Sequence, residues 1–348
     1  MEFENLSIIH GTKFGTVQPM ISLEDMKNNG LDFGDSLNIY FSNGNKLLDI
    51  PYFNGFYVRT TEPLVCGYPG YEHPAIGKNN GGDIWEIFNL DESMTVSIEL
   101  CEKAKYLNVQ NTMDTVYTNF REDYASDEIF ANYRAMKGGN LKDNWFYRSA
   151  SPCDNQYFRA KYTNKLMEKD KVNFILNISD CEEEIEIYRL SSSFNYPYFD
   201  EIYNSGRIAL LNLSADYRSS VYMKILASGL KILTQFDGPY LTHCTEGKDR
   251  TGFVALLIES LLGATYEEMK NDYMTTYFNY YGITRENNPE KYDAIVDLKF
   301  DDMAMYLAEV ESNDELHNAD FFMGARRYLI KGGMNDEEIN VLIHRLHK

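Results

Sequence analysis

From Pro239 to Leu262 the chain runs through three short texts of different physical character: P-Y-L-T, then H-C-T-E-G-K-D-R, then T-G-F-V-A-L-L-I-E-S-L-L. The last is apolar on nearly every side, and a helix without a polar face has to be enclosed by other elements. The first reads as a short strand. A strand, a tight charged loop and a buried helix therefore succeed one another directly, which places sheet and helix together at the centre of a domain and points to an α/β architecture.

The surrounding sequence agrees with that centre. Val172–Ile178 and Ile208–Leu213 are strand-like, and Val221, Ile225, Leu226, Leu230 and Leu233 form a helical stripe ending near Phe236. Thr265 with Glu268, and Asn335 with Glu338, have the spacing of capping boxes, with Met334 and Ile339 placed to staple the second. Gly332-Gly333 should stop the helix before it. The expectation is a central sheet flanked by helices with a helical tail, over residues 111–348. At its start, Val116, Phe120, Tyr124, Ile129, Tyr133 and Met136 are spaced like one helical face.

Residues 1–110 read differently. Apolar and β-branched runs at Leu37–Phe41, Lys46–Ile50, Phe56–Thr60, Ile84–Leu90 and Thr95–Cys101 are separated by Gly, Pro, Asn and Asp, which predicts a small all-β barrel or sandwich. Asn43-Gly44 suits a type I′ hairpin turn. Gly67–Gly82 is so rich in breakers that a long loop is expected. No chemical constellation is visible in this part: His10 and His73 stand alone, and Asp35 and Asp49 read as turn or edge residues.

The net charge of −20 disfavours nonspecific binding to nucleic acid or anionic lipid, so any phosphate must be met by a local pocket. No run approaches the roughly 20 apolar residues that span a bilayer, and a soluble chain is expected, cytoplasmic or exported with its leader removed. The five cysteines, Cys66, Cys101, Cys153, Cys181 and Cys244, show neither a C-x-x-C pair nor zinc-like spacing to histidine. No metal or other cofactor is expected.

Cys244 stands apart by its neighbours. In a strand, loop and helix of this kind, the loop amides and the helix N-terminus converge on one point with partial positive charge, a place for a phosphate or a thiolate. Gly247 permits the turn that aims those amides inward. Arg250 can offer a planar two-pronged donor to phosphate oxygens. Thr251 can donate its hydroxyl to the cysteine sulfur when that sulfur leaves, and His243 is suited to orient the loop by hydrogen bonding.

The run H-C-T-E-G-K-D-R-T-G resembles the H-C-x5-R-[ST] signature of the cysteine-based protein tyrosine phosphatase superfamily, and its G-K-D-R-T-G ending is similar to a bacterial and fungal branch that includes secreted phosphatases. N-Y-R-A-M-K-G-G at Asn132–Gly139, F-Y-R-S-A-S-P at Phe146–Pro152 and I-L-N-I-S-D-C-E-E-E at Ile175–Glu184 resemble further segments of that branch. The resemblance implies a two-step displacement through a phosphocysteine, on a phosphorylated protein or small phosphomonoester. Cys244 is then the nucleophile, Arg250 and Thr251 assist, and Thr245, Glu246, Gly247, Lys248 and Asp249 complete the substrate-binding loop.

Two carboxylic acids compete to protonate the leaving group. Asp249, inside the loop, is preferred because it needs no closure to reach the leaving oxygen; Asp216, in L-S-A-D-Y-R-S-S between a strand and a helix, is the alternative. Lys248 accompanies inositide activity in the resembling branch, whereas Glu246 either repels polyphosphorylated groups or pairs with Lys248. Arg148 and Arg134 are expected to brace the loop, and Asp180 to cap a strand end. The E-E-E run at Glu182–Glu184 suits the start of a solvated helix. Phosphotyrosine is the preferred substrate, inositol phosphates or phosphoinositides the alternative, and a noncatalytic phosphate-binding module the reading from another class. The N-terminal part is assigned an accessory role with no identifiable partner.

Overall fold

The computed structural model describes residues 2–12 and 14–348. The chain divides into two compact units, Met1–Thr115 with Asp293–Lys299, and Val116–Tyr292 with Phe300–Lys348. A single boundary near residue 111 does not include the return of Asp293–Lys299 to the first unit. There the Arg59 guanidinium meets both carboxylate oxygens of Asp297 at 2.7 Å.

The first unit is a closed barrel of seven strands: β1 (Glu2–Gly11), β2 (Thr16–Pro19), β3 (Ser36–Phe41), β4 (Lys46–Phe53), β5 (Pro63–Cys66), β6 (Ala75–Lys78) and β7 (Thr95–Glu102), in the order β1-β2-β6-β5-β4-β3-β7. Leu37, Ile39 and Phe41, and likewise Val96 and Ile98, alternate into one apolar interior with Val17, Ile50, Val65 and Ile76. Each such side chain, fully buried, contributes about 1.5–3 kcal/mol.

Several local expectations fail here for physical reasons. Ile84–Ile87 is a short helix rather than a strand, because the Asp83 carboxylate accepts the Trp85 N–H and caps it. Phe56–Thr60 is irregular, and Val58 packs with Phe53, Leu64 and Cys66 in a satellite cluster. The breaker-rich segment Gly67–Gly82 contains β6, which pairs with β5. In the hairpin between β3 and β4 only Gly44 has positive φ, +90°, which suits a type I turn closed by glycine and not the paired positive angles of type I′. His10 is not isolated: its ring lies 2.7 Å from Asp83 and stacks on Trp85.

The second unit is built on a five-stranded sheet of β8 (Arg134–Ala135), β9 (Phe146–Ser149), β10 (Phe174–Asn177), β11 (Ile208–Leu210) and β12 (Tyr240–His243), ordered β11-β10-β12-β9-β8. The β11, β10, β12 and β9 pairs are parallel, and β8 joins β9 antiparallel. Parallel strands run with both faces covered, as the wholly buried Phe174–Asn177 and Tyr240–His243 show. The helix Asp249–Leu261 comes directly after β12 and its loop, and is buried from Thr251 to its end. Both capping boxes close, at Thr265 and at Asn335.

The helical face expected from Val116 to Met136 does not form. That stretch holds a three-residue 3-10 turn, the four-residue helix Asp127–Phe130 and β8, and Val116 and Phe120 are exposed. The apolar spacing there reflects separate contacts of an irregular segment and not one helix.

Candidate active site

The loop after β12 is shaped from outside. Each carbonyl from Cys244 to Lys248 has a donor behind it: the His243 ring Nδ1 lies 3.3 Å from that of Cys244, and the Ser151 N–H serves that of Thr245 at 3.1 Å. Asn132 Nδ2 and the Tyr280 hydroxyl donate to Glu246 O, at 3.3 and 2.5 Å. Gly247 O receives Asn132 Nδ2 at 3.1 Å and Arg148 Nη2 at 2.9 Å. The Gly252 N–H closes on Lys248 O at 2.8 Å. With the carbonyls turned outward, the N–H groups of Thr245 to Lys248 find no acceptor among the described residues and remain donors for an anion.

Gly247 makes this possible. Its φ is +68°, and a Cβ there would stand 2.2 Å from the Ser149 carbonyl oxygen, so the loop packs directly on the end of β9.

Arg148 and Arg134 hold the loop through a carboxylate at a distance in sequence. Arg148 is entirely buried and Arg134 has about 15% of its side chain exposed; Arg148 Nη1 pairs with Asp272, and Arg134 Nε donates to the same carboxylate at 2.9 Å. Arg134 Nη1 also donates to Asn132 Oδ1 at 2.7 Å, which orients that amide toward the loop. Burial pushes the Asp272 carboxyl up, but the two guanidinium groups outweigh it and hold the acid below the usual carboxylate range.

The candidate reactive side chains belong to this loop and to the start of the helix that follows it. Cys244 is 3% exposed. Arg250 Nη2 donates to Thr245 Oγ1 and Nη1 to the Leu213 carbonyl, both at 3.1 Å, tying the loop to the segment that carries Asp216. The Thr251 hydroxyl is buried and has no hydrogen-bond partner among the described residues. His243 is fully buried; burial, opposed by Asp180, pushes its imidazole down to about 4, and the neutral ring donates from Nδ1.

The two candidate acids differ in setting. Asp249 is the first residue of the buried helix, about half exposed, with Lys248 Nζ 3.9 Å away. Asp216 is partly buried, and burial raises its carboxyl against the opposing Arg218 and Ser219 N–H groups and the Arg218 guanidinium. Its loop is anchored by Tyr217, whose ring stacks on Phe253 at 4.4 Å and whose hydroxyl donates to Asp302 at 2.9 Å. Asp180, 4% exposed, accepts from Asn177, Ser179 and Tyr188 and so braces the end of β10.

Sequence reasoning did not find Asp272, Tyr280, Tyr117 or Arg159. Asp272 lies in Y-E-E-M-K-N-D-Y among other acidic residues and carries no local signal. Asn132 does lie in one of the segments that resemble the phosphatase branch, though nothing in the sequence marks the contact it makes.

Comparison with known proteins adds three findings. Residues 189–348, just under half of the chain, match the profile of the tyrosine phosphatase family, which supports a cysteine-based phosphatase for this part of the molecule. No curated protein matches. Among solved structures, the chain is similar to the core catalytic domain of the PP-IP phosphatase SIW14 from S. cerevisiae, in complex with citrate. The identity is 18% and the TM-score 0.29, over 51% of this chain and 91% of that one. So loose a superposition carries no argument about fold or substrate.

Proposed function

We propose that the chain is a cysteine-dependent phosphomonoester hydrolase acting on phosphotyrosine in proteins. The observation that carries this reading is the loop itself: five successive carbonyls held from behind, with the amides of Thr245 to Lys248 unpartnered among the described residues and Arg250 beside them, suited to surround one phosphoryl group near Cys244.

In the first step the Cys244 thiolate forms a bond to phosphorus as the bond to the leaving oxygen breaks, and that oxygen takes a proton from a carboxylic acid. In the second, water attacks phosphorus, its proton returns to the same carboxylate, and the P–S bond breaks to restore the thiolate. Arg250 and the loop amides balance the charge on the equatorial oxygens in both steps. The buried, unpartnered Thr251 hydroxyl is suited to meet the sulfur as it leaves. The raised carboxyl of Asp216, on a segment that Arg250 contacts, supports giving the proton to Asp216 ahead of Asp249, the reverse of the preference drawn from position in sequence.

A second reading, hydrolysis of inositol phosphates, rests on Lys248 in the loop. A panel of phosphotyrosine peptide, phosphoinositide and inositol polyphosphate, with Cys244→Ser as control, separates the two. Preferred turnover of peptide, lost in the control, is the expected result. Brisk release from inositides with negligible peptide turnover would reverse it, and phosphopeptide binding without hydrolysis of any aryl phosphate would leave a binding module.

A further inference from the structure

Two charged side chains of the loop, Glu246 and Lys248, each with about 15% of the side chain exposed, are locked together. Lys248 Nζ lies 3.5 Å from Glu246 Oε2 and 3.9 Å from Asp249 Oδ2, and it donates to the Tyr281 hydroxyl at 3.4 Å. Burial alone would lower the lysine; Glu246 foremost, then Tyr281 and Asp249, outweigh it and hold the ammonium firmly charged. The other oxygen of Glu246 is taken as well, by the Tyr117 hydroxyl at 2.5 Å.

Tyr117 is itself immobilised. Its ring stacks on Tyr280 with centroids 5.1 Å apart and meets Tyr281 edge-on at 5.6 Å. The Arg159 guanidinium sits 4.9 Å from the ring centroids of both Tyr117 and Tyr280, with its own donors spent on Phe130, Tyr157, Asn119 and Thr118. Since Tyr280 also donates to the Glu246 carbonyl, one aromatic block fixes both backbone and side chain of this residue.

The electrostatic consequence comes from counting signs. Lys248 and Arg250 are positive, Glu246 and Asp249 negative, so apart from the Cys244 thiolate the side chains of the loop sum to no net charge. The amides and Arg250 suffice for one phosphoryl group, and no cation is left over for a second. A ligand with several neighbouring phosphates would bring its excess charge against Glu246, while a phosphorylated aromatic ring brings none and finds tyrosine faces nearby.

We propose that Glu246, fixed by Tyr117 and paired with Lys248, is a specificity-determining residue that reserves this site for substrates carrying a single phosphoryl group on an aromatic ring and turns away clustered phosphates. This inference rests on the phosphatase reading above and names its substrate class from the loop's own charges.

The test uses the full chain and the ratio of kcat/KM for inositol hexakisphosphate to kcat/KM for a phosphotyrosine peptide. In Glu246→Gln the ratio should rise by about tenfold or more, because the repelling carboxylate is gone and the lysine it held is released to the ligand. Lys248→Gln should abolish the gain in the Glu246→Gln background and move the ratio less in the wild type, where the lysine is already paired. Tyr117→Phe, which frees the carboxylate without removing it, should move the ratio in the same direction by a smaller factor, and this arm decides if the Glu246 variant does not fold. An unmoved ratio, with aryl phosphate turnover intact in the wild type, overturns the inference and leaves the phosphatase reading standing. Absence of any turnover of aryl phosphate by the wild type overturns both.

Discussion

Arg148 Nη2 lies 2.9 Å from the carbonyl oxygen of Gly247, and the other terminal nitrogen of that guanidinium is paired with Asp272. One buried arginine thus connects the glycine turn of the loop to a carboxylate on the helix Tyr266–Tyr281. The carboxylate acts on the loop through the arginine: it positions the group that positions the loop.

Asp272→Asn is therefore expected to destabilise the protein by about 2–4 kcal/mol, because it leaves the buried Arg148 guanidinium and the partly buried Arg134 guanidinium short of a counter-charge. The loop should loosen as well, and kcat/KM on an aryl phosphate should fall by about a hundredfold or more. Denaturant unfolding and steady-state kinetics measure the two effects. A stable variant with unchanged kinetics would show that Arg134 and Arg148 need no shared carboxylate.

The acid can be identified from pH dependence. A general acid works protonated, so kcat should decline as pH rises through the carboxyl's own value, and burial places that decline for Asp216 above the usual carboxylate range. Asp216→Asn should remove this alkaline limb and cost about 10²–10⁴ in kcat on a substrate with a poor leaving group, with a smaller loss on p-nitrophenyl phosphate. Loss of the limb in Asp249→Asn, with Asp216→Asn silent, would return the role to the acid inside the loop.

Glu259 offers a test by stability. It is buried in the helix Asp249–Leu261, Oε1 has no hydrogen-bond partner among the described residues, and burial pushes its carboxyl well above the ordinary value, opposed by Arg148 and Arg134. Above the ordinary value the unfolded chain releases this proton while the folded chain keeps it. The contribution of Glu259 is therefore present in acid and is lost as pH rises, by up to about 1.4 kcal/mol per pH unit. The stability of Glu259→Gln relative to wild type should accordingly increase from pH 5 to pH 8, measured by urea unfolding. A difference independent of pH would mean that the folded state carries the charge after all.

Where information was local, the sequence was legible. The buried helix announces itself because residues from Thr251 to Leu262 leave it no polar side, and the capping boxes at Thr265 and Asn335 need only residues three apart. The loop could be singled out as the candidate site because its cysteine, glycine, arginine and threonine stand within ten consecutive residues. The barrel was harder: short apolar runs fit a strand or a buried turn of helix equally well, and the Asp83 cap decided for helix at Ile84–Ile87.

The sequence by itself singled out the loop between β12 and the buried helix, with Cys244 in it, as the candidate site, since that reading depends on neighbours along the chain. Only the tertiary structure decided what holds that segment in shape and what charge it presents. Asp272 reaches Arg148 across 124 positions, and Tyr117 reaches Glu246 across 129. Pairs so distant leave no periodicity in the text. They exist because turning five carbonyls outward from the loop obliges the fold to supply donors behind them, and because a carboxylate and an ammonium brought together at a loop keep one geometry only when packing holds both still.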